Sequence, residues 1–301
     1  MPARCATAPS PRRPRRSISL VPTAAGIVLA GGRSSRMGTP KAALEWHGST
    51  LLRRVTGIVA RGVDGPVVVV RAPGQALPSL PSTVEVVQDA REGRGPLQGL
   101  AAGLAALDGS AEVAYASSTD APLLHPAFVR RVLQAVDDDV DVALPRAGGF
   151  PHPLAAAYRT SLRSQIERLL AADRLRPAFL YDECRVRRLD EAALLTDRAL
   201  AAVDPDLDSV LNLNEPADYA AARARPAPEI TVQRFGPLAR NGHGGPVTLR
   251  AATLAAAARA AGVNLDEHVV AALNGDQISR DPELPLATGD TVAFMAADAG
   301  G

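Results

Sequence analysis

Apolar runs and polar interruptions alternate along most of this chain. Ala25 to Ala30 and Val67 to Val70 are continuous apolar runs. Val84 to Val87, Val113 to Ala116 and Val140 to Leu144 are strand-like as well. Continuous runs, as opposed to strict alternation, predict strands buried on both faces. Ser49 to Arg61, Pro96 to Leu107 and Phe128 to Val136 carry helical spacing, and Pro96 suits a first helical turn. Strands alternating with helices across short turns predict an α/β domain over 24–222. Its mostly parallel, Rossmann-like sheet is covered by helices on both faces. Ligands in such sheets sit at the carboxyl ends of the strands.

The pattern changes near Ala220. Ala221 to Pro228 is rich in alanine, arginine and proline and reads as a linker, assigned to 223–228. Beyond it, Glu229 to Phe235 and Pro246 to Arg250 read as strands around a glycine-rich turn. Thr253 to Ala261 reads as a helix with Thr253 as N-cap and Gly262 as its stop. Val269 to Leu273 and Thr291 to Met295 read as further strands. This order predicts a second, small α+β domain over 229–301.

Composition adds exclusions. A length of 301 residues and a hydrophobic fraction of 47% support two cored domains. A net charge of +1 and 3% aromatic residues give no reason to expect nucleic acid or an anionic membrane as partner. No apolar run reaches membrane-spanning length. Two cysteines, Cys5 and Cys184, lie far apart and predict neither a disulfide framework nor a zinc site, so a cytoplasmic location is expected. Residues 1–23 hold arginines among prolines and serines. The Arg15-Arg16 pair also occurs in export signals. The apolar segment behind it is already the first strand and its loop, however. A disordered basic tail, or a start codon upstream of the true one, is expected instead.

The candidate chemistry begins where the first strand ends, at Leu29-Ala30-Gly31-Gly32-Arg33-Ser34-Ser35-Arg36-Met37-Gly38-Thr39-Pro40-Lys41. Glycines let backbone N–H groups approach a phosphate, and cations offset its charge. The order is neither that of a Walker loop nor that of a dinucleotide fingerprint. Asp120 follows the strand Val113 to Ala116, in the same layer as this loop. Magnesium commonly takes one or two carboxylates plus substrate phosphates, so Asp120 is a candidate Mg2+ ligand; capping of the next turn is the rival role. Asp89 precedes Gly93, Gly95-Pro96-Leu97 and Gly99, where a carboxylate can accept hydrogen bonds from a bound ligand; a solvated loop acid is the rival role. His152-Pro153 and Asn212-Leu213-Asn214-Glu215-Pro216 complete the set. For the Asn pair, capping of the helix at Pro216 competes with ligand binding.

Taken together, these strings resemble the MobA-type molybdenum cofactor guanylyltransferases over Ala25 to Ala222. The resemblance implies transfer of GMP from GTP to the phosphate of molybdenum-bound molybdopterin, releasing pyrophosphate. It implies that Leu29, Ala30, Gly31, Gly32, Lys41, Asp89, Gly95 and Asp120 surround the nucleotide. Arg36, Lys41 and Mg2+ on Asp120 would serve catalysis, and His152, Asn212 and Asn214 would serve the acceptor or metal shell. An attacking phosphate has a second pKa of about 6 and needs no general base, which leaves in-line positioning and charge stabilisation. Gly31-Gly32 and Gly95-Pro96-Leu97 favour GTP over the CTP of related cytidylyltransferases. A sugar-nucleotide enzyme with a non-catalytic docking module is the further alternative. Arg71 stands where the family often carries Asn.

The small domain resembles the MoaD and ThiS sulfur carriers in Phe235 to Arg240, Leu273-Asn274-Gly275, Leu286 to Phe294 and Gly300-Gly301. That resemblance implies a ubiquitin-like β-grasp fold and a thiocarboxylate on Gly301. An adenylating activating enzyme and the large subunit of molybdopterin synthase would be the partners.

Overall fold

The computed structural model describes residues 23–31, 40–91, 93–239 and 245–297. Arg36, Gly32, Gly300 and Gly301 lie outside these residues. In chain order, β1 (Ala24–Leu29) is followed by a hairpin of β2 (Glu45–Trp46) and β3 (Ser49–Thr50), then α1 (Leu51–Ala60), β4 (Val67–Arg71) and β5 (Val84–Gln88). Next come α2 (Pro96–Ala106), β6 (Val113–Ser118), α3 (Pro126–Leu133), β7 (Val142–Ala147), β8 (Phe150–Pro151) and β9 (Ala155–Arg159). The N-terminal unit closes with α4 (Arg163–Ala171), α5 (Pro177–Tyr181), β10 (Val186–Leu189), α6 (Glu191–Leu194), α7 (Arg198–Val203) and α8 (Pro216–Arg223). The C-terminal unit holds β11 (Glu229–Arg234), β12 (Val247–Arg250), α9 (Leu254–Ala260), β13 (Val269–Leu273), β14 (Gln277–Ser279) and β15 (Thr291–Ala296).

The large sheet is ordered β10-β7-β9-β6-β1-β4-β5, with β8 on β7. The β1/β4, β1/β6, β4/β5 and β10/β7 pairs are parallel, whereas β9 runs antiparallel to both β6 and β7. The sheet is therefore mostly parallel, as the apolar runs predict. Successive side chains of those runs go to opposite faces. Val28, Val67 and Val69 pack with α1 and α3, while Ile27, Leu29, Val68 and Val70 pack with α2 and α4. The chain leaves β1 for β4 on one side and reaches β6 on the other, so β1 sits at the switch in strand order, where a crevice opens. Register sets its floor: Leu29 is level with Val70 on one side and Ser118 on the other.

Helix starts differ slightly from the pattern's expectation. Ser49 lies in β3, and α1 begins at Leu51 because the Thr50 side chain accepts from the Arg53 N–H as N-cap. Helix α3 spans Pro126–Leu133, two residues ahead of the expected start, because His125 caps it through Nδ1 and Pro126 fills its first position. Helix α8 continues through Arg223, so the first residues read as linker are helical. Amphipathic pattern was there masked by a run of alanines, which fit helix and linker alike.

The second sheet is mixed and ordered β12-β11-β15-β13-β14. Its two central strands, β11 and β15, are parallel, and the outer pairs are antiparallel. Ile230, Val232, Leu273, Val292 and Phe294 form its core with Leu254, Ala257 and Ala258 of α9.

Candidate functional site

A cleft of about 530 Å³ opens at the carboxyl ends of β1, β4, β5 and β6. Leu29, Ala30, Gly31, Lys41, Asp89, Gly95 and Asp120 all line it, together with Arg71, Ser118, Thr119 and Leu154. Segments far apart in sequence thus meet as the parallel topology predicts.

Main-chain bonds fix the floor. The N–H groups of Ala30 and Gly31 donate to Val70 O at 2.8 and 3.3 Å. Thr119 donates to Leu29 O from its hydroxyl at 3.0 Å and from its N–H at 3.3 Å, tying the ends of β1 and β6. Gln75 closes the other side, donating from Nε2 to Ala30 O and accepting from Ala72 N, each at 2.9 Å.

Lys41 and Asp120 form the charged pair of the cleft. Lys41 enters on a short 3-10 turn, Lys41–Ala43, and its Nζ lies 2.7 Å from Asp120 Oδ2. Ser118 Oγ donates to Asp120 Oδ1 at 2.6 Å. Leu213 N donates to Asp120 O at 2.8 Å. The carboxylate is thus held at both oxygens, and its backbone is fixed as well. Across the cleft, Asp89 N donates to Arg71 O at 2.8 Å, and Asp89 Oδ1 accepts from Arg91 N at 3.1 Å. Gly95 has φ of 81°, a value L side chains rarely adopt, and this turn aims the N-terminus of α2 into the cleft. A helix N-terminus beside Lys41 suits an anion such as phosphate.

His152, Asn212 and Asn214 stand outside the cleft lining. His152 Nε2 contacts Ala147 O at 3.1 Å, and its backbone bonds shape the turn between β8 and β9. The contact to the cleft comes two residues later, from Leu154. Asn212 and Asn214 are exposed. The residue between them, Leu213, is buried and supplies the bond to Asp120. Capping by the Asn side chains is not observed: Glu215 is the N-cap of α8, and Asp218 Oδ2 accepts from the N–H groups of Asn214 and Glu215.

Ser118 and Gln75 were missed by motif reading. Ser118 was signalled by the polar run Ser117-Ser118-Thr119-Asp120 at a strand end. Gln75 carried no signal, since its partners are main-chain groups. Burial pushes the Cys184 thiol up to about 11, which keeps it protonated at neutral pH. Among the described residues, no three His, Cys, Asp or Glu side chains gather as a metal cluster. No helix of the described residues is long and apolar enough to cross a membrane.

The model of the MobA-like NTP transferase domain matches residues 26–187. A probable molybdenum cofactor guanylyltransferase of Mycolicibacterium paratuberculosis is 37% identical over 188 residues, covering 61% of this chain and 92% of the relative. Its counterpart in Mycobacterium tuberculosis is 38% identical over 169 residues, covering 55% and 82%. The crystal structure of molybdopterin-guanine dinucleotide biosynthesis protein A from Archaeoglobus fulgidus is 20% identical. It superimposes with a TM-score of 0.53, covering 66% of this chain and 96% of that one. At that identity the likeness concerns the fold.

Proposed function

From the premise that this chain belongs to the MobA-like NTP transferase family, we propose that it transfers GMP from GTP to the phosphate of molybdenum-bound molybdopterin. It is a nucleotidyltransferase, and its mycobacterial relatives bear the guanylyltransferase name. The observation that carries the finer reading is the meeting of Lys41, Asp120, Asp89 and Gly95 around one cleft.

Lys41 and the N-terminus of α2 hold the phosphates of GTP. Asp89 faces the base and ribose from the other wall. The acceptor phosphate is ionised near neutral pH and attacks the α-phosphorus of GTP without a base. One phosphorus–oxygen bond forms, the bond to the β-phosphate bridge breaks, and pyrophosphate leaves with its electron pair. Asp120 and Ser118 offer hard oxygen donors, which fit a divalent cation such as Mg2+. As no carboxylate cluster stands beside them among the described residues, the remaining ligands would be substrate phosphates and water. That cation, when bound, neutralises charge on the phosphates. By the motif order Arg36 would serve catalysis and Gly32 the nucleotide; His152, Asn212 and Asn214, outside the cleft lining, would meet only the acceptor or an outer metal shell.

The test is pyrophosphate release with molybdate-loaded molybdopterin, Mg2+ and either GTP or CTP. GTP-dependent release is expected; preference for CTP would make the enzyme a cytidylyltransferase.

A second reading concerns the C-terminal unit. Its strand order, with parallel β11 and β15 at the centre and α9 against the core, supports a β-grasp fold and, with it, sulfur carriage at Gly301. Mass spectrometry after incubation with an activating enzyme, ATP and a sulfur donor tests this. A gain corresponding to replacement of oxygen by sulfur is expected, and an unchanged mass under conditions that modify a known carrier leaves a docking module.

A further inference from the structure

Helix α1 is packed on two sides. Its apolar residues Leu52, Val55, Ile58 and Val59 join the core of the large sheet. Its basic residues face the C-terminal unit. Arg53 Nη2 lies 2.6 Å from Asp281 Oδ2. Arg61 donates to Pro285 O at 2.9 Å and pairs with Asp290 Oδ1 at 2.5 Å, and both side chains are nearly fully buried. Between these arginines Gly57 lets Pro285 approach closely. A Cβ at Gly57 would come within 2.6 Å of the Pro285 ring. Ala287 is buried in the large unit's core. The seam is therefore a packed interface.

One side chain of the seam also reaches the candidate site. Arg54 is buried, and its Nε donates to Pro122 O at 2.5 Å. Pro122 lies two residues beyond Asp120. Nη1 of the same arginine donates to Leu286 O at 3.2 Å and approaches Ala252 O at 3.5 Å, both in the C-terminal unit. Slightly further along the same loop, His125 Nδ1 accepts from Ala127 N, which leaves Nε2–H to donate to Thr288 O at 3.0 Å. Beside the bonds it receives from Leu213 N and gives to Ser209 Oγ, the segment from Asp120 to His125 is thus held at two points through side chains that also bond the C-terminal unit.

We infer that the C-terminal unit braces the Asp120 loop for nucleotidyl transfer, with Arg54 as the positioning residue that links them. The inference rests on the reading of Asp120 as part of the transfer site. Displacing the C-terminal unit from α1 removes two acceptors from a buried guanidinium and the Thr288 partner of His125, which loosens the loop between Pro122 and His125. Misplacement of reacting groups by about 1 Å costs on the order of 100-fold in rate. The two units are then coupled, and an event that lifts the C-terminal unit slows transfer at the distant cleft.

Gly57→Ala in the full chain is a wedge that touches no cleft residue. Alanine is the better helix former, so a loss of function would not come from weakening α1. Pro285→Ala removes the ring atoms at 2.6 and 2.7 Å and leaves Cβ at 4.0 Å. The double variant Gly57→Ala/Pro285→Ala is therefore the rescue. Amide hydrogen exchange over 117–125 is expected to speed up at least several-fold in the wedge variant and to return in the double variant. The kcat of GMP transfer should fall roughly 10- to 100-fold with the KM for GTP within about twofold, and should recover likewise. Asp281→Lys, which sets a repulsion against Arg53 at the partly exposed rim, is a second wedge should the first fail to fold. Unchanged exchange in 117–125 with either wedge overturns the brace. An exchange response in a chain whose wild type releases no pyrophosphate would uphold the mechanical link and refute the transfer reading instead.

Discussion

Lys41 and Asp120 form an ion pair, and this sets a testable order of binding. Asp120 Oδ2 is 2.7 Å from Lys41 Nζ, and Oδ1 already accepts from Ser118. On the proposed reading, a divalent cation at Asp120 would compete with the ammonium until GTP phosphates drew Lys41 away. Both side chains are about one-fifth exposed, at 20% and 17%, so solvent screens the pair only in part. A charge-assisted bond of this kind contributes about 1.5–3 kcal/mol, a roughly 10- to 100-fold effect on a competing equilibrium. Lys41→Met should therefore raise the Mn2+ affinity of the nucleotide-free protein by about tenfold or more. The same substitution should weaken GTP binding, because it removes the proposed phosphate contact. Electron paramagnetic resonance of free Mn2+ during titration measures the first effect, and calorimetry with GTP the second. In the wild type, Mn2+ affinity should rise when GTP is present. Equal or weaker Mn2+ affinity in nucleotide-free Lys41→Met would refute the competition and remove Asp120 from the metal role.

Asp120→Ala should abolish GMP transfer while shifting the urea midpoint little, because its side chain bonds Lys41 and Ser118 at the cleft and fills no core; measurable turnover would sink that assignment. Asp290→Ala should destabilise the full chain by about 3–5 kcal/mol in urea titrations, since it leaves Arg61 buried without its carboxylate; a loss under about 1 kcal/mol would contradict a formed seam. Stability should also depend on pH through His125, whose pKa lies below 6.5, chiefly because of burial. A base with a depressed folded pKa contributes stability that is present above the unfolded value of about 6.5 and is lost as pH falls through the folded value. The unfolding free energy should thus decline below about pH 6.5, less steeply in His125→Asn, which keeps an N-cap; an identical decline in that variant would exclude His125 as its source.

Much of the large unit was legible because strands buried on both faces are written as unbroken apolar runs, as in Val67 to Val70 and Ala25 to Leu29. The cleft was legible because a parallel sheet collects the residues that follow its strands on one edge. Lys41, Asp89, Gly95 and Asp120 had only to follow or precede the right elements to meet there. The roles of His152 and the Asn pair were less legible. Motif order gave their neighbourhood, but it did not reveal that a main-chain N–H, that of Leu213, makes the bond to Asp120.

The seam was illegible for a stronger physical reason. On α1, Arg53, Arg54 and Arg61 occupy the polar positions of an amphipathic helix, where arginine ordinarily faces water. Gly57 among them looks like a weak point in the helix. What turns the arginines into interface residues is their acceptors. Most of these are carbonyls, those of Pro122, Leu286 and Pro285. Every residue carries a carbonyl, so no choice of side chain records which ones will be used. Asp290, Asp281 and Glu283 are the exceptions, and in sequence they read as loop acids more than two hundred positions away. A buried cation satisfied by carbonyls is stable only while both walls are present, because guanidinium donors left without partners are costly to bury. Arg54 lies at a point where such a dependence meets the loop of Asp120. Its buried position therefore makes the large unit's site depend on the small unit's docking, although neither unit alone carries a motif for it.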